Sequence, residues 1–382
     1  MSLLDDRRYH CCRSFHFNNH LLRQRLTRSS IKNLSGRRLD LFRVVAYCVG
    51  THNQDAHHMD IYTKISDIPG PFPKAAVTIG NFDGVHLGHQ ILFSEVVSRA
   101  YRNQGTSVAV TFEPHPLKVV RPDIGLKLIS TPEQKKELIA LANIDALIIL
   151  PFTREFANTP AETFVDEVLR KAIGVQDLVV GYDYAFGKSR QGDIPFLKAQ
   201  GKTKGFTVSV VEPYYVDGML ASSTKIRELV GLGKMSDVKK LLGRYYQIRG
   251  EVKMGQQRGG PLLGFPTANL AIAEEDLCPR LGVYVTQVIY DGKCYGGVLN
   301  IGYNPTFAGS QLSAETHIFD FNQDIYGKPI KINLLRFLRG EKKFSGPEEL
   351  TRQIAMDVAD AKEILADAQK EIRLSCEEKY NR

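Results

Sequence analysis

Two histidines follow a glycine-rich turn in the stretch TIGNFDGVHLGH, residues 78–89, and could bind phosphate. The β-branched run before the turn predicts a buried parallel strand, and His86 and His89 then share one face of the following helix. The start of such a helix offers unpaired N–H groups and a positive dipole end to an anion. Gly84 and Gly88 let a phosphate approach the backbone, and imidazoles that can be cationic near neutral pH add donors.

The competing interpretation of this stretch is an ordinary strand–turn–helix junction whose histidines only cap and pack. Asn81 and Asp83 lie in the same turn, however, at the kind of junction where α/β folds place ligands. We therefore favour a nucleotide phosphate site. The sequence has no GxxxxGK[ST] motif, which excludes a P-loop kinase domain.

A second anion site is predicted at SSTKIRELV, residues 222–230. Hydroxyls at a helix start together with Arg227 could hold phosphates, whereas the alternative is a capped helix with a solvated arginine. Two loop-like segments, FEPHP at 112–116 and VGYDYAFGKSRQGD at 180–193, are rich in aromatic residues. They could build a slot for a planar ring substrate. The alternative for both segments is that their Pro and Gly residues only form turns.

A third group of residues lies in GGPLLGFPTANL, 259–270. Its glycines could wrap a polyphosphate, and Thr267 and Asn269 are hard oxygen ligands suited to Mg²⁺; the alternative is a glycine-rich bulge or loop. Glu315 is predicted where a strand begins, with His317 on the same face. It could accept the proton of a substrate alcohol that attacks the γ-phosphate of ATP, and the alternative is a surface glutamate at a strand end.

The first two motifs require a parallel α/β scaffold. From Met59 to about Gly233, short apolar strands alternate with helices, as expected when both faces of a parallel sheet are covered. Helix starts are predicted at Thr131-Pro132 and Thr159-Pro160. Strands are predicted at Ala76–Gly80, Ser107–Phe112, Ala146–Pro151, Leu178–Gly181 and Thr207–Glu212.

The third motif lies in a region of different pattern. After a helix at Ser236–Leu242, strand-like runs follow one another directly, which predicts an antiparallel domain and a small barrel. Asp291-Gly292 predicts a two-residue hairpin turn. A last helix, capped by Ser345 with Glu348, should pack an apolar stripe from Leu350 to Ile372 on the barrel. The strands are predicted at Tyr246–Lys253, Val283–Tyr290, Cys294–Ile301, Glu315–Phe321 and Ile330–Phe337.

Charge is unevenly distributed along the 382 residues. The formal net charge is +8, but residues 1–58 hold ten Lys/Arg against four Asp/Glu. The remainder therefore offers no basic face for nucleic acid. We expect this basic leader to be disordered and to lack a packed fold. An organellar presequence fits poorly with Asp5, Asp6 and two adjacent cysteines, so we favour an early start codon with Met59 as the true start.

Cysteine usage and hydropathy narrow the class of protein. The six cysteines are scattered without a CxxC pair, which favours reduced thiols and a cytoplasmic location. No run of 18 apolar residues occurs, so no membrane span or membrane partner is expected. The sequence leaves open whether the chain forms a homo-oligomer.

The combination of motifs resembles a known family. GNFDGVHLGH is similar to the nucleotidylyltransferase signature GxFDxxHxGH, and SSTKIR to its [ST]xx[IL]R element. From about Met59 to Leu374, seven motifs occur in the order found in bacterial bifunctional riboflavin kinase/FAD synthetases. They are TIGNFDGVHLGH, FEPHP, VGYDYAFG, SSTKIR, GFPTANL, NIGYNPTF and ETHIFDF.

The resemblance implies a fold and a division into domains. It implies an α/β FMN adenylyltransferase domain of Rossmann-like fold at 59–240. It also implies a riboflavin kinase domain at 241–374, built as a six-stranded antiparallel β-barrel with a terminal helix. Residues 1–58 would be the leader and 375–382 a tail.

The resemblance also implies two reactions that use ATP and Mg²⁺. Riboflavin would be phosphorylated to FMN, and FMN would then be adenylylated to FAD with release of pyrophosphate. Competing hypotheses are a nucleotidylyltransferase for another phosphate ester and a flavin-responsive binding protein on a degenerate enzyme fold. GFPTAN with Glu315 argues against the first. The intact histidines and Arg227 argue against the second.

Residue roles follow from the same resemblance. Catalytic roles fall on His86, His89 and Arg227 in the adenylyltransferase and on Glu315 as the base for the riboflavin 5′-hydroxyl, with Thr267 and Asn269 as metal ligands. ATP contacts are expected from Gly80, Asn81, Phe82, Asp83, Gly88, Ser222, Ser223, Thr224, Gly259, Gly264 and Pro266. Flavin contacts are expected from Phe112, Pro114, Asp183, Tyr184 and Phe186, and Asp183 would face the second substrate or a metal.

Overall fold

The computed structural model describes residues 58–254, 265–306 and 309–380. The predictions for the leader before residue 58 and for Gly259 and Gly264 lie outside the described residues. Among the described helices, none combines the length and the apolar character needed to cross a membrane.

Six parallel strands form the first sheet in the order β1-β4-β3-β2-β5-β6. The five predicted strands are confirmed to within three residues at each end. The edge strand β1 was not predicted, since three residues are too few to show a pattern. The bounds are β1 Asp60–Tyr62, β2 Ala75–Ile79, β3 Ser107–Glu113, β4 Ala146–Pro151, β5 Val175–Gly181 and β6 Thr207–Val211.

Helices connect these strands, so the first domain is an α/β domain as predicted. Thr131 caps a helix by accepting the N–H of Gln134. The predicted cap at Thr159 is wrong, because Pro160 has extended backbone angles and the helix begins only at Ala161. The bounds are α1 Leu87–Asn103, α2 Pro116–Val120, α3 Pro132–Leu141, α4 Arg154–Ala157, α5 Ala161–Thr163 continued by π-helical turns at Phe164–Ile173, α6 Ile194–Lys204, α7 Ser223–Gly231 and α8 Met235–Leu242. A small hairpin, β7 Tyr215–Val216 and β8 Met219–Leu220, precedes α7.

The second sheet is antiparallel and has the order β10-β13-β12-β11-β14-β9. The two edges of this sheet approach each other. The N–H of Lys253, which follows β9, donates to the carbonyl of Asn269 at 2.8 Å, and this contact nearly closes the sheet into a barrel. The hairpin at Asp291-Gly292 is confirmed, and both residues have positive φ, 48° and 68°. The bounds are β9 Tyr246–Glu251, β10 Ala268–Ala271, β11 Gly282–Tyr290, β12 Lys293–Thr306, β13 Gly309–Ile318 and β14 Pro329–Arg339.

The C-terminal helix α9, Pro347–Tyr380, packs on the outside of the barrel. Val358, Ala361 and Leu365 of its predicted stripe join one apolar cluster with barrel residues. The predicted capping pair is wrong by one residue, since the N–H and the hydroxyl of Ser345 donate to Glu349, at 2.9 and 2.8 Å, and not to Glu348.

The α/β domain and the barrel are joined by apolar and polar contacts. One apolar cluster runs from Ile226 of α7 into the barrel interior at Leu299. Backbone bonds link Leu128 to the segment 275–277, at 2.8 Å each. Glu137 of α3 forms ion pairs with two basic side chains of the barrel, Arg249 at 2.9 Å and Lys331 at 3.3 Å.

Candidate active sites

The first candidate site lies at the carboxyl end of the parallel sheet. Strand β2 is central, and the chain leaves it toward β3 on one side, whereas it leaves β5 toward β6 on the other. In open α/β sheets ligands bind in the crevice where the connections diverge in this way. The turn at 80–86 and the loop at 182–193 flank that crevice.

The turn after β2 has an unusual backbone. Phe82, Gly84 and Val85 have φ values of 49°, 79° and 40°. Left-handed angles are uncommon for non-glycine residues and unfavourable for a β-branched one, so surrounding contacts must hold the turn. Thr111 donates to the carbonyl of Asn81 at 3.2 Å, and the hydroxyl of Ser130 accepts the N–H of Gly84 at 3.1 Å.

The glycines and Phe82 of this motif have packing roles in the structure. A Cβ on Gly80 would lie 2.7 Å from the ring of Phe82, which is fully buried and contacts His89 edge-on. A Cβ on Gly88 would lie 3.1 Å from the ring of His86 and 3.2 Å from the carbonyl of Ala221. These contacts explain why small residues stand there, and the ATP contacts assigned to them stay predictions.

His86 and His89 are stacked, with ring centroids 3.6 Å apart. Nδ1 of His86 accepts the N–H of His89 at 3.4 Å and so caps α1. Burial, with the nearby charges of Arg244 and Arg227, lowers the pKa of His86 to about 3, and burial also lowers the pKa of His89 well below its usual value. The expectation of cationic imidazoles is therefore wrong in this arrangement, but a neutral His86 with Nδ1 accepting still has an Nε2–H donor.

Asp83 and Arg227 join α7 to the turn. Asp83 is 4% exposed and pairs with the guanidinium of Arg227, whose Nε also donates to the carbonyl of Lys127 at 2.9 Å. The Asp83 carboxylate also accepts the N–H groups of Ile129 at 3.0 Å and Ser130 at 3.2 Å. Burial raises the pKa of Asp83, and Arg227 and these N–H groups oppose the rise. Asp83 therefore orients the arginine.

The hydroxyls before Arg227 lie close to the same turn. Ser222 caps α7 by accepting the N–H of Lys225 at 3.2 Å, as the cap interpretation expects. Ser223 donates to the carbonyl of Asp83 at 2.9 Å, and Thr224 is exposed. The structure thus brings both predicted phosphate motifs together.

A pocket opens beside the turn, at the ends of β2 and β3. It contains Asn81 together with Phe112 and Pro114 of the predicted flavin segment. Apart from Asp83, its ionisable residues were not predicted as site residues, because sequence patterns do not show which side chains of neighbouring helices and loops point inward. They are Glu113, His115, Lys118, Lys135 and Glu275, the last from the barrel domain.

Lys135 is a partly buried basic side chain of this pocket. Its ammonium donates to Thr111 at 3.4 Å, and burial lowers its pKa despite the nearby carboxylates of Glu113 and Asp83. A cation held in a pocket by one long hydrogen bond suits an anionic ligand group. Lys118 lies at the same pocket and pairs with Glu275 at 2.8 Å.

The two predicted flavin segments are connected by aromatic rings. Tyr184 and Phe186 stack at 5.7 Å between centroids, and burial raises the pKa of the Tyr184 hydroxyl. Asp183 is exposed in the same loop. Neighbouring centroids are 5.2–6.0 Å apart along the row Phe112, Phe156, Phe164, Phe186 and Tyr184.

The second candidate site lies on the barrel. In the register of β10 and β13, Asn269 faces Glu315, and Asn300 of β12 faces Glu315 from the other side. Directly opposed residues have Cβ atoms about 4.5–5.5 Å apart, so these three side chains form one row. Glu315 lies in the second half of β13, which begins at Gly309; the predicted place at a strand start is wrong because the β12–β13 hairpin is longer than expected.

The segment before β10 carries the remaining predicted residues. Asn269 donates through Nδ2 to the carbonyl of Thr267 at 3.3 Å, which leaves its side-chain oxygen to act as an acceptor. His317 shares the face of Glu315, as predicted, and donates to the carbonyl of Pro266 at 2.9 Å.

The donor set fits a hard cation. No cluster of three or more His, Cys, Asp or Glu suited to a metal is found among the described residues. The side-chain oxygens of Thr267 and Asn269, with the Glu315 carboxylate opposite Asn269, instead offer the neutral and anionic oxygens that Mg²⁺ prefers.

Comparisons with known proteins match two families along the chain. The FAD synthetase family matches residues 71–225, and the riboflavin kinase family matches residues 242–365. The bifunctional riboflavin kinase/FMN adenylyltransferase of Listeria monocytogenes is 35% identical over 76% of this chain and 92% of its own length. That of Pseudomonas fluorescens is 36% identical over 76% of this chain and 92% of its own.

A solved structure has the same fold over most of the chain. A crystal structure described as a macrolide-efflux protein from Streptococcus pneumoniae is 31% identical, with a TM-score of 0.71, and the match covers 80% of this chain and 98% of that one. Together with the two matched families, these similarities show that the chain belongs to the bifunctional riboflavin kinase/FMN adenylyltransferases, the enzymes that make FMN and FAD.

Proposed function

We propose that the barrel domain, residues 241–374, converts riboflavin to FMN and that the α/β domain, residues 59–240, converts FMN to FAD. One observation carries the assignment of the kinase residues: the β10–β13 register places Asn269 of GFPTAN directly opposite Glu315 of ETHIFDF. The ranges of the two matched families support the order of the domains. ATP would bind with Mg²⁺ at both sites.

In the kinase step, Glu315 would take the proton of the riboflavin 5′-hydroxyl as its oxygen bonds to the γ-phosphorus of ATP and ADP leaves. Thr267 and Asn269 would hold Mg²⁺, which neutralises charge on the ATP phosphates. The carboxylate needs to lie close to the phosphates, and its place opposite Asn269 supports this role.

In the adenylyltransferase step, a phosphate oxygen of FMN would attack the α-phosphorus of ATP, and pyrophosphate would leave without a covalent enzyme intermediate. The protein's part is to align the two phosphates and to stabilise the charge that develops. The Nε2–H of His86, the first N–H groups of α1 and the guanidinium of Arg227 would serve ATP. Lys135 and Lys118 would bind the FMN phosphate in the pocket.

The flavin ring would lie near the aromatic row that begins at Phe112. This residue and Pro114 line the pocket, and Phe186 extends the row toward the second predicted segment. A planar isoalloxazine gains dispersion and apolar burial against such rings. We also propose a cytoplasmic location, which the free thiol of Cys278 supports.

The test separates the two activities in one protein. The full chain, supplied with riboflavin, ATP and Mg²⁺, should form FMN and then FAD, which chromatography resolves. Glu315→Gln should lower FMN formation by roughly 10²–10⁴-fold, because a general base contributes about that much. It should leave adenylylation of supplied FMN intact. The double variant His86→Ala/His89→Ala should stop at FMN.

Each variant controls for the other, since each keeps the activity of the domain that was not changed. A folded variant that loses both activities would refute the division between the domains. Full kinase activity in Glu315→Gln would refute its role as the base.

A further inference from the structure

The segment Leu242–Arg244, here called the junction, leads from α8 into the first barrel strand. Its arginine points back to the α/β domain. Arg244 is 4% exposed and donates to the carbonyls of Gly84 at 2.7 Å and Val85 at 3.2 Å. It also donates to the carbonyl of Leu242 at 3.3 Å. One buried guanidinium thus bonds both the nucleotide turn and its own junction.

Two further contacts hold the junction against the nucleotide turn and the start of α1. Gln90 of α1 donates through one amide nitrogen to the carbonyls of Val85 and Leu242, both at 2.9 Å. Gly243 has a φ of 70°, and a Cβ there would lie 2.8 Å from Leu87 at the start of α1. The junction therefore lies directly against the first turn of the helix.

The bonded carbonyls belong to the strained part of the turn. Gly84 and Val85 both have left-handed φ angles, and for the β-branched Val85 that geometry is unfavourable. Such a conformation persists only when neighbouring groups hold it. Arg244 and Gln90 supply donors to these two carbonyls immediately before His86, so they fix where that residue and the helix start lie.

We propose that Arg244, although it follows the α/β domain in the chain, is a positioning residue of the adenylyltransferase site. Through the carbonyls of Gly84 and Val85 it holds the turn so that His86 and the start of α1 face the phosphates. This inference rests on the proposed role of the turn in binding ATP.

The charge of Arg244 also supports the proposed role of His86, because it favours the neutral form of the ring. Together with burial and Arg227 it keeps His86 uncharged. A neutral ring can accept the N–H of His89 through Nδ1 and still present Nε2–H. Removal of the guanidinium therefore changes both the position of the turn and the electrostatic surroundings of the ring.

The experiment measures both activities of the full chain. In Arg244→Gln, the kcat for adenylylation of supplied FMN should fall by about 10²-fold, since a small misplacement of binding groups costs about that much. The kcat and the KM for riboflavin phosphorylation should not change. Arg244→Lys should recover part of the loss, because an ammonium can reach the carbonyls but lacks the planar fork.

Two further variants make the result decisive. Lys240→Gln, an exposed charge change on α8, is the matched control and should keep both rates. Gln90→Ala should show a smaller loss confined to adenylylation. It should be non-additive with Arg244→Gln, because both side chains hold the carbonyl of Val85.

The outcomes distinguish this inference from the proposed function. If His86→Ala abolishes adenylylation while Arg244→Gln keeps the wild-type rate, only the positioning role is refuted. If His86→Ala itself keeps the wild-type rate, the proposed site fails. If Arg244→Gln loses both activities through unfolding, Gln90→Ala decides, and a wild-type adenylylation rate in that variant overturns the inference.

Discussion

At the scale of residues, burial lowers the pKa of His86 and His89 and so determines whether they carry a charge. The motif alone predicts donors to phosphate, and this stays a prediction. The protonation state could not be predicted, because the pKa of His86 depends first on burial and then on Arg244 and Arg227, all of which follow from the fold and not from the motif. In the proposed site a neutral His86 would bind phosphate as a hydrogen-bond donor, and the positive charge would come from Arg227 and the lysines of the pocket.

This burial predicts how stability depends on pH. The pKa of His86 falls from 6.5 to about 3 on folding, and that of His115 falls to about 4. Below pH 6.5 the unfolded chain therefore binds more protons than the folded one, so the free energy of unfolding must decrease as the pH falls. His86 alone should lower the free energy of unfolding by roughly 1 kcal/mol for each pH unit between pH 6 and pH 4.

Urea unfolding of the wild type and of His86→Gln at pH 7 and pH 5 measures this contribution. The variant should lose less stability over that interval than the wild type. Lys240→Gln, which changes no histidine, should keep the wild-type pH dependence. Equal pH dependence in His86→Gln and the wild type would contradict the buried, neutral state of the ring.

At the scale of elements, the sequence predicted those strands and turns that a local residue pattern specifies. Buried strands such as Ala146–Pro151 and the hairpin at Asp291-Gly292 were predictable, because apolar runs and turn residues specify them. The short strands at Asp60–Tyr62 and Ala268–Ala271 were not, since pairing with neighbours defines them. The pairing of Asn269 with Glu315 likewise follows from register, which no single segment contains.

Two buried threonines of the barrel give a stability prediction for β11 and β13. Thr286 and Thr316 are both fully buried, but only the hydroxyl of Thr316 has a bond, to the carbonyl of Val298 at 3.3 Å. The hydroxyl of Thr286 has no partner among the described residues. Thr286→Val should therefore raise the free energy of unfolding by about 1 kcal/mol, whereas Thr316→Val should lower it by about 1 kcal/mol.

Chemical denaturation of the two variants compares the same substitution at matched burial. The opposite signs are the informative result. A loss of stability in Thr286→Val as large as that in Thr316→Val would show that the Thr286 hydroxyl is satisfied.

At the scale of the whole molecule, the barrel domain contacts the α/β domain next to the first candidate site. The junction contacts the turn of the α/β domain. The segment 275–277 of the barrel domain bonds to the backbone of Leu128, and its Glu275 lines the pocket beside the turn. Glu137 ties α3 to two barrel strands. The sequence predicted two domains in order, but it could not predict that a residue of the second domain lines the pocket of the first, because these contacts join residues far apart in the chain.

Glu275 provides the last prediction, because it belongs to the barrel domain and lines the pocket of the other domain. Its carboxylate pairs with Lys118, and this ion pair with an exposed glutamate is worth about 0.2–1 kcal/mol. If Lys118 binds the FMN phosphate, Glu275 competes with that phosphate for the ammonium. Glu275→Gln should therefore lower the KM for FMN by up to about fivefold at low salt, the equivalent of that energy, and the KM for riboflavin should not change. Glu274→Gln is the matched control, because its side chain does not line the pocket. A higher KM for FMN in Glu275→Gln would show instead that the carboxylate holds Lys118 in its binding position.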